Sequence, residues 1–469
     1  MPIRKTAIRA SRAVFRGKPA VAIATIGAMS IVLAGCADTA DSSDDSAAES
    51  SIFPADLVDA AAERAAEIAD GQDLDGTTVT MIATWGGTER ERFLATLEPF
   101  EEATGITIDF TGTEDRDAVI QTNIEAGTPI DVAAVKPGTL ADYVGSGDVY
   151  DLNELVGEDV MTSSFSDGFL ESTSFDGGNY GLWEMVDNYM LWFNPNTYDG
   201  PTGEDVTWDE LADWTTETAA SGTAPWCMGL SSGATTGWPA AYFAQHLLIK
   251  QAGPEFVDAL AAGEASWDSP EVRAAYELLS QIVSSDETVF GGPSGVLSTE
   301  PGSAHAGMYT DPANCLIEHW GTWTASMVLS SDTSLEPVED IDFLPLPTVT
   351  DEYADVDGYS GTILSAFSDR PEVAALMAYL ASAEHADLIA ATGNWIPANS
   401  GVDASVYPNE VLANVSTEIV GADTLVLFPL DAVSAEMYAQ FNKTAAEYVQ
   451  DPSTLDANLA EMDALAGTS

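Results

Sequence analysis

Basic side chains are scarce in this chain. Its 469 residues hold 15 Lys and Arg against 76 Asp and Glu. Six of those bases (Arg4, Lys5, Arg9, Arg12, Arg16 and Lys18) precede residue 36, and every acid follows it. Beyond that point 76 acids face nine bases, a net charge of −67. Phosphate binding needs a basic face, so a nucleic-acid partner is excluded. The acids are spread along the whole chain, which reads as a solvated surface that keeps the protein dispersed. A cationic ligand, such as a polyamine, is the competing reading of the same charge. Histidine is equally thin: His246, His305, His319 and His385 show no HExxH spacing, and no Cys pairs with them at zinc-ligand intervals. Neither GxGxxG nor a P-loop occurs. The run Gly358-Tyr359-Ser360-Gly361 approaches a nucleophile elbow but has Thr362 where the last glycine belongs, and it reads as a flexible loop. Asp355-Val356-Asp357-Gly358 begins like a calcium loop yet lacks the closing Glu. No cofactor and no metal are expected. A glycosidase needs only two carboxylates across a cleft, so a secreted glycoside hydrolase stays open as the enzymatic alternative.

What is present begins at the N-terminus. The basic residues are followed by an uncharged run from Ala20 to Ala34, too short for a comfortable bilayer span of ~20 apolar residues. Basic then apolar is the pattern of a secretory signal peptide, here residues 1–35. The run ends in Leu33-Ala34-Gly35-Cys36, which resembles a lipobox; the resemblance implies a lipidated Cys36 as first mature residue and a lipid anchor on the extracellular face of a bacterial cell membrane. Residues 37–51 carry no aromatic or branched apolar side chain, so 36–51 reads as a disordered tether. The other cysteines, Cys227 and Cys315, form an even pair suited to a disulfide in an oxidising compartment, with two buried free thiols as the alternative.

The remaining ~415 residues exceed one small core and suit two lobes. Val79, Met81 and Ala83 alternate with Thr78, Thr80 and Ile82, predicting a strand that ends at Trp85-Gly86-Gly87. Thr88 and Glu91 are placed as a capping box. Phe93, Leu94, Leu97 and Phe100 follow at helical spacing up to Gly105. A second strand is expected over Ile106–Phe110, a helix from Asp117 to Ala126 and a third strand over Ile130–Val135. That alternation is the signature of an α/β fold with a parallel sheet, whose ligands bind beyond the carboxyl ends of the strands. A further strand is expected at Phe343–Leu346. Asp369 and Glu372 are placed to cap a helix with an apolar face of Val373, Leu376, Met377 and Leu380. Tyr180 to Phe193 reads as one extended crossing between lobes.

Seven segments carry a family resemblance in order: IATWGG at 82–87, GTPIDVAAVKPG at 127–138, YGLWEMVDNYMLWFNP at 180–195, TWDEL at 207–211, APWCMGLSSGATTGWP at 224–239, GMYTDPANC at 307–315 and GNWIPAN at 393–399. Together they resemble the extracellular solute-binding proteins of carbohydrate ABC importers, the maltose-binding-protein class, and within it the alpha-glucoside branch. The resemblance implies a two-lobe periplasmic-binding-protein-like fold with a hinge and a ligand cleft between lobes. On this sequence that implies lobe 1 as 52–186 plus 304–346 and lobe 2 as 187–303 plus 347–469. The implied protein is a monomer that catalyses no reaction and hands an alpha-glucoside or short oligosaccharide to ABC permease subunits. A polyamine- or cation-binding protein of the same fold is the binding alternative.

A sugar ring offers apolar C–H faces and a rim of hydroxyls, so its site needs flat aromatic surfaces beside carboxylates and amides. Candidate contacts are Trp85, Gly86, Arg116, Pro137, Trp183, Glu184, Asp187, Asn188, Trp226, Trp238, Tyr309, Asp311, Gly358 and Trp395. Several have plainer readings. Trp226 is placed to pack beside Cys227, Trp238 to start a helix before Pro239, Asp187 to cap a strand end, and Arg116 to make a surface ion pair. Trp192, Trp208 and Trp214 are assigned to packing.

Overall fold

The computed structural model describes residues 52–113, 115–203, 205–421 and 424–467. The expected signal peptide, Cys36 and the expected tether lie outside the described residues. Twelve strands appear among them: β1 (Thr78–Ala83), β2 (Thr107–Gly112), β3 (Val132–Val135), β4 (Ser174–Phe175), β5 (Gly178–Asn179), β6 (Leu182–Asp187), β7 (Tyr189–Phe193), β8 (Ile317–Gly321), β9 (Asp342–Leu344), β10 (Val356–Ala366), β11 (Ile396–Pro397) and β12 (Thr424–Leu427). The larger sheet runs β11-β6-β10-β3-β1-β2, with β12 also paired to β10. β1 is parallel to β2 and β3, while β10 runs antiparallel to β3 and β6. A second sheet has the order β8-β7-β9, and β4 and β5 form a small hairpin.

The expected β-α-β-α-β opening is present. β3 is buried at all four positions, as a central strand covered on both faces should be. The helix Gly87–Thr104 buries Phe93, Leu97 and Phe100 and stops at Gly105, whose φ of 74° is the left-handed conformation glycine adopts freely. Its start differs from expectation. Gly86 is the N-cap, without a side-chain cap bond, so the Thr88–Glu91 capping box does not form: the helix has already begun when the chain reaches Thr88. The helix Pro371–Leu380 buries Val373, Leu376, Met377 and Leu380 as expected. Its N-cap is Arg370, not Asp369, and Glu372 instead accepts from Arg370 at 2.5 Å.

The extended stretch from Tyr180 to Phe193 is two strands of two sheets, broken at Asn188. The break turns the alternation to use. Tyr189, Leu191 and Phe193 enter one buried cluster, and Met190 and Trp192 enter the other. The first cluster gathers β1, β2, β3, β6 and their helices; the second gathers most of 189–317 with 344–356 and 426–462. Residues 359–419, assigned to lobe 2 with the rest of 347–469, contribute Tyr359 through Ile419 to the first cluster. The reason is pairing: β10 hydrogen-bonds to β3 and β6, which carries the chain after Val356 into the first core.

Gly358-Tyr359-Ser360-Gly361 is likewise not a loop but part of the eleven-residue β10. Gly361 has φ 152°, and a Cβ there would stand 2.1 Å from the Met185 carbonyl oxygen, where β10 runs against β6. Cys227 and Cys315 are bonded, with Cα atoms 5.2 Å apart, which disposes of the free-thiol reading. The bridge is buried and closes a loop across an 88-residue separation.

Gly361→Ala is expected to cost about 2–3 kcal/mol, because the added methyl meets backbone in a conformation that L side chains rarely adopt. Urea unfolding of the full chain, compared with wild type, measures it.

Candidate functional site

Polar groups converge where the two cores meet. β6 ends at Asp187, and the break after it is fixed by Thr322. The Thr322 amide donates to the Asn188 carbonyl at 3.0 Å, and its hydroxyl donates to Asp187 Oδ1 at 3.2 Å. The Asn188 side chain caps the next strand by accepting from the Tyr189 amide at 2.5 Å. Asp187 stands opposite Ser360 in the β6–β10 register. It keeps accessible surface while protein surrounds it. Desolvation pushes its carboxyl up to about 6; the Thr322 hydroxyl opposes this, while Asp431 and Glu89 add to it.

Asp431 comes from the second core, on the short helix Pro429–Ala432. Its Oδ1 accepts from the Tyr242 hydroxyl at 2.9 Å, and its buried Oδ2 has no hydrogen-bond partner. Burial raises its pKa, with Lys136, Ser360 and Tyr242 opposing the rise. Lys136 follows β3 and places its ammonium 4.1 Å from the centre of the Tyr438 ring. Two residues on, a Cβ at Gly138 would lie 2.8 Å from the Ala432 carbonyl carbon and 3.0 Å from the Val433 oxygen, so the loop after β3 abuts the second core here.

Aromatic rings line the same junction. Trp238 and Trp323 are half-buried and pack against both cores. Trp238 lies 4.9 Å from Trp320, Trp323 lies 5.9 Å from Trp320 and from Tyr189, and Tyr189 stacks on Tyr242 at 4.7 Å. Desolvation raises the Tyr189 and Tyr242 phenols well above their ordinary value, so both remain proton donors. Indole faces beside two carboxylates, phenols and an ammonium make a surface able to hold both the C–H face and the hydroxyl rim of a small polar molecule.

Of the sequence candidates, Asp187, Asn188, Pro137 and Trp238 fall at this junction. Pro137 is the first residue of the helix Pro137–Ser146 that follows Lys136, and Trp238 starts the helix Trp238–Ala252. Gly86 is exposed at its helix N-cap, near the Glu89 that acts on Asp187. Trp85 and Trp395 instead meet each other in the first core, 5.7 Å apart, with Trp85 stacked on Phe110. Arg116 is buried and paired to Asp117 at 2.7 Å. Tyr309 donates to the Asp340 carbonyl at 3.2 Å, and Asp311 is exposed in a cis Asp311–Pro312 turn four residues from Cys315.

Four expected contacts are core residues. Trp226 is fully buried and donates from Nε1 to Thr215 at 2.9 Å. Trp183 donates to Ser172 at 2.9 Å and packs on Phe169 and Tyr359. A Cβ at Gly358 would lie 2.4 Å from the Phe428 ring, so that position serves close packing. Glu184 is buried against His385, with Oε1 and Nε2 2.7 Å apart, and the outer atoms Glu184 Oε2 and His385 Nδ1 are unpartnered. A hydroxyl-binding role for Glu184 assumed an open cleft face; its side chain points into the helices of the first core.

Sequence reading missed Asp431, Tyr242, Ser360, Trp320 and Trp323. Gly321-Thr322-Trp323 after a strand parallels Trp85-Gly86-Gly87 after β1, and that parallel was an available signal. Asp431 had none among 76 acids.

Half-open cavities lie elsewhere, two of them well formed. One of 550 Å³ is lined by Lys250, Asp342, Thr348 and Asp357 among others; one of 360 Å³ is lined by Phe169, Val186, Tyr359 and Pro397 among others. Neither includes Asp187 or Asp431, so convergence of donors and rings, not volume, marks the junction as the candidate. In the larger volume Asp357 is already paired with His246 at 2.5 Å and Lys250 at 3.8 Å. No group of three or more His, Cys, Asp or Glu is placed to hold a metal ion among the described residues.

Residues 86–387 match the family model described as bacterial extracellular solute-binding protein. The chain is 29% identical over 360 residues to the osmoprotective compounds-binding protein GgtB of Synechocystis sp., covering 76% of this chain and 84% of that one. It is 25% identical over 370 residues to the alpha-glucosides-binding periplasmic protein AglE of Rhizobium meliloti, covering 76% and 80%. Among solved structures, a chitin oligosaccharide binding protein superposes with a TM-score of 0.71 at 18% identity, over 84% of this chain and 98% of that one. The two-lobe fold expected from the sequence is therefore the fold of this chain.

Glu184→Ala is expected to lower stability by about 2–4 kcal/mol, since it strands a buried histidine. Denaturant unfolding followed by tryptophan fluorescence gives the value; an unchanged midpoint would place Glu184 outside the core.

Proposed function

Because the chain belongs to the bacterial extracellular solute-binding protein family, we propose that it captures an alpha-glucoside or short oligosaccharide and delivers it to ABC permease subunits. The observation that carries this reading is the pair Trp238 and Trp323, half-buried and packed on both cores beside Asp187 and Asp431. A sugar seated there stacks its C–H face on an indole. Its hydroxyls donate to the two carboxylates and accept from the Lys136 ammonium. Relatives named for osmoprotective compounds, alpha-glucosides and a chitin oligosaccharide support a small hydroxylated solute.

Contacts from both cores give closure its driving force. A ligand held by one lobe alone has equal affinity for open and closed forms and shifts neither. A ligand touching Asp187 and Asp431 together favours the closed form, and the closed form is what the permease receives. The protein binds without catalysing a reaction and works as a monomer. Cys36 anchors it by its acyl chains to the extracellular face of the membrane.

Calorimetry with maltose, trehalose and sucrose, and with spermidine as a cation, tests the ligand class. One of the disaccharides should bind and spermidine should not; the reverse result moves the protein to the cation reading. Trp323→Ala should weaken the bound disaccharide at least tenfold, in line with loss of an aromatic contact worth about 1.5 kcal/mol, with little change in unfolding midpoint. In a bacterial host, Cys36→Ser should abolish labelling by a palmitate analogue and release the protein from the membrane fraction. Retained labelling would rule out Cys36 as the acylated residue.

A further inference from the structure

The junction holds more negative charge than its cations neutralise. Facing Asp187 are the Thr322 hydroxyl, Asp431 and Glu89 from the helix Gly87–Thr104. Facing Asp431 are the Tyr242 hydroxyl, Ser360 and the Lys136 ammonium, with the Tyr189 and Tyr438 phenols near enough to feel its charge. The cation facing this pair is the Lys136 ammonium, itself set over the Tyr438 ring. The geometry adds an orphan: Asp431 Oδ2 is buried without a donor. Asp187, by contrast, keeps accessible surface.

We propose that the empty site carries a proton on the Asp187–Asp431 pair and that a polyhydroxyl ligand releases it on binding. The proposal rests on the sugar reading above. A carboxylic acid accepts hydrogen bonds poorly, whereas a carboxylate accepts from two ligand hydroxyls. On binding, the O–H bond of the protonated acid breaks, the proton passes to the buffer, and the freed oxygens accept ligand hydroxyls; no other covalent bond changes. Burial and like charge favour the protonated empty state, and both act on Asp187, whose carboxyl they lift to about 6.

The sign follows. Ligand hydroxyls stabilise the ionised pair and so lower its midpoint. Affinity is therefore weakest where the empty site is protonated and grows as pH rises through about 6. Between pH 5 and pH 7 the gain should be about tenfold, with nearly one proton released per ligand at pH 5 and almost none at pH 8.

Two measurements on the full chain test this. Infrared difference spectra of ligand-free wild type against Asp187→Asn should show a protonated carboxyl band at pH 5 that is lost by pH 8. Absence of that band overturns the proposal before any ligand is added. Calorimetry with maltose, or with trehalose or sucrose where that binds more tightly, in two buffers of different ionisation heat, counts the protons released. Asp187→Asn should flatten the pH dependence of whatever binding remains. A bound disaccharide with the same affinity at pH 5 and pH 7 and no proton release overturns the proposal and leaves the sugar reading intact. A carboxyl band with no disaccharide bound sinks the sugar reading and leaves the proton in the empty site established.

Discussion

A single backbone break organises the functional half of this molecule. The stretch Tyr180–Phe193 is apolar and aromatic enough to run as one strand, yet it serves two sheets, and the change occurs at Asn188. A buried break leaves peptide groups that must find partners. Thr322 satisfies the Asn188 carbonyl, and the Asn188 side chain satisfies the next amide. Both bonds hold Asp187 at the strand end and bring the turn after β8, with Trp323, against it. The chain crossing between cores and the polar end of the candidate site are the same few residues.

The crossing strand β10 meets the same demand differently. It begins in the second core with Asp357, whose burial works against its charge while His246 and Lys250 more than compensate and hold it at about 2. That neutralised network stands in contrast to the Asp187–Asp431 pair three to four residues further along the sheet, where carboxylates outnumber cations. One set of buried charges is satisfied inside the protein, and the other is left for a ligand to complete. The difference is not visible in residue types, since both sets draw on Asp, Lys and hydroxyl or imidazole donors.

Burial also separates the tryptophans by role. Trp183, Trp192 and Trp226 have lost their exposure, and each indole N–H has found a partner: Ser172, the Trp320 carbonyl and Thr215. Such residues are spent on packing. Trp238 and Trp323 keep part of their surface and touch both cores. The same reasoning separates the acids. Glu184 is committed to His385 inside the first core, whereas Asp187 remains reachable.

Local pattern alone determined the opening β-α-β-α-β unit, the apolar face of Pro371–Leu380 and the crossing near Asp187, because alternation and helical spacing are short-range properties that burial enforces residue by residue. Order of segments gave the family. The helix start at Gly87 and the strand character of 358–361 were misread, since a backbone glycine can begin a helix or sit within a strand as tertiary contacts require. Which buried cluster receives residues 359–419 was decided by the pairing of β10 with β3 and β6, a contact between segments some 170 to 230 residues apart that no local pattern encodes. The site was decided the same way. Asp431 and Trp323 become partners of Asp187 only when distant segments are folded together, because neither their spacing in the chain nor their chemistry distinguishes them from the other acids and indoles.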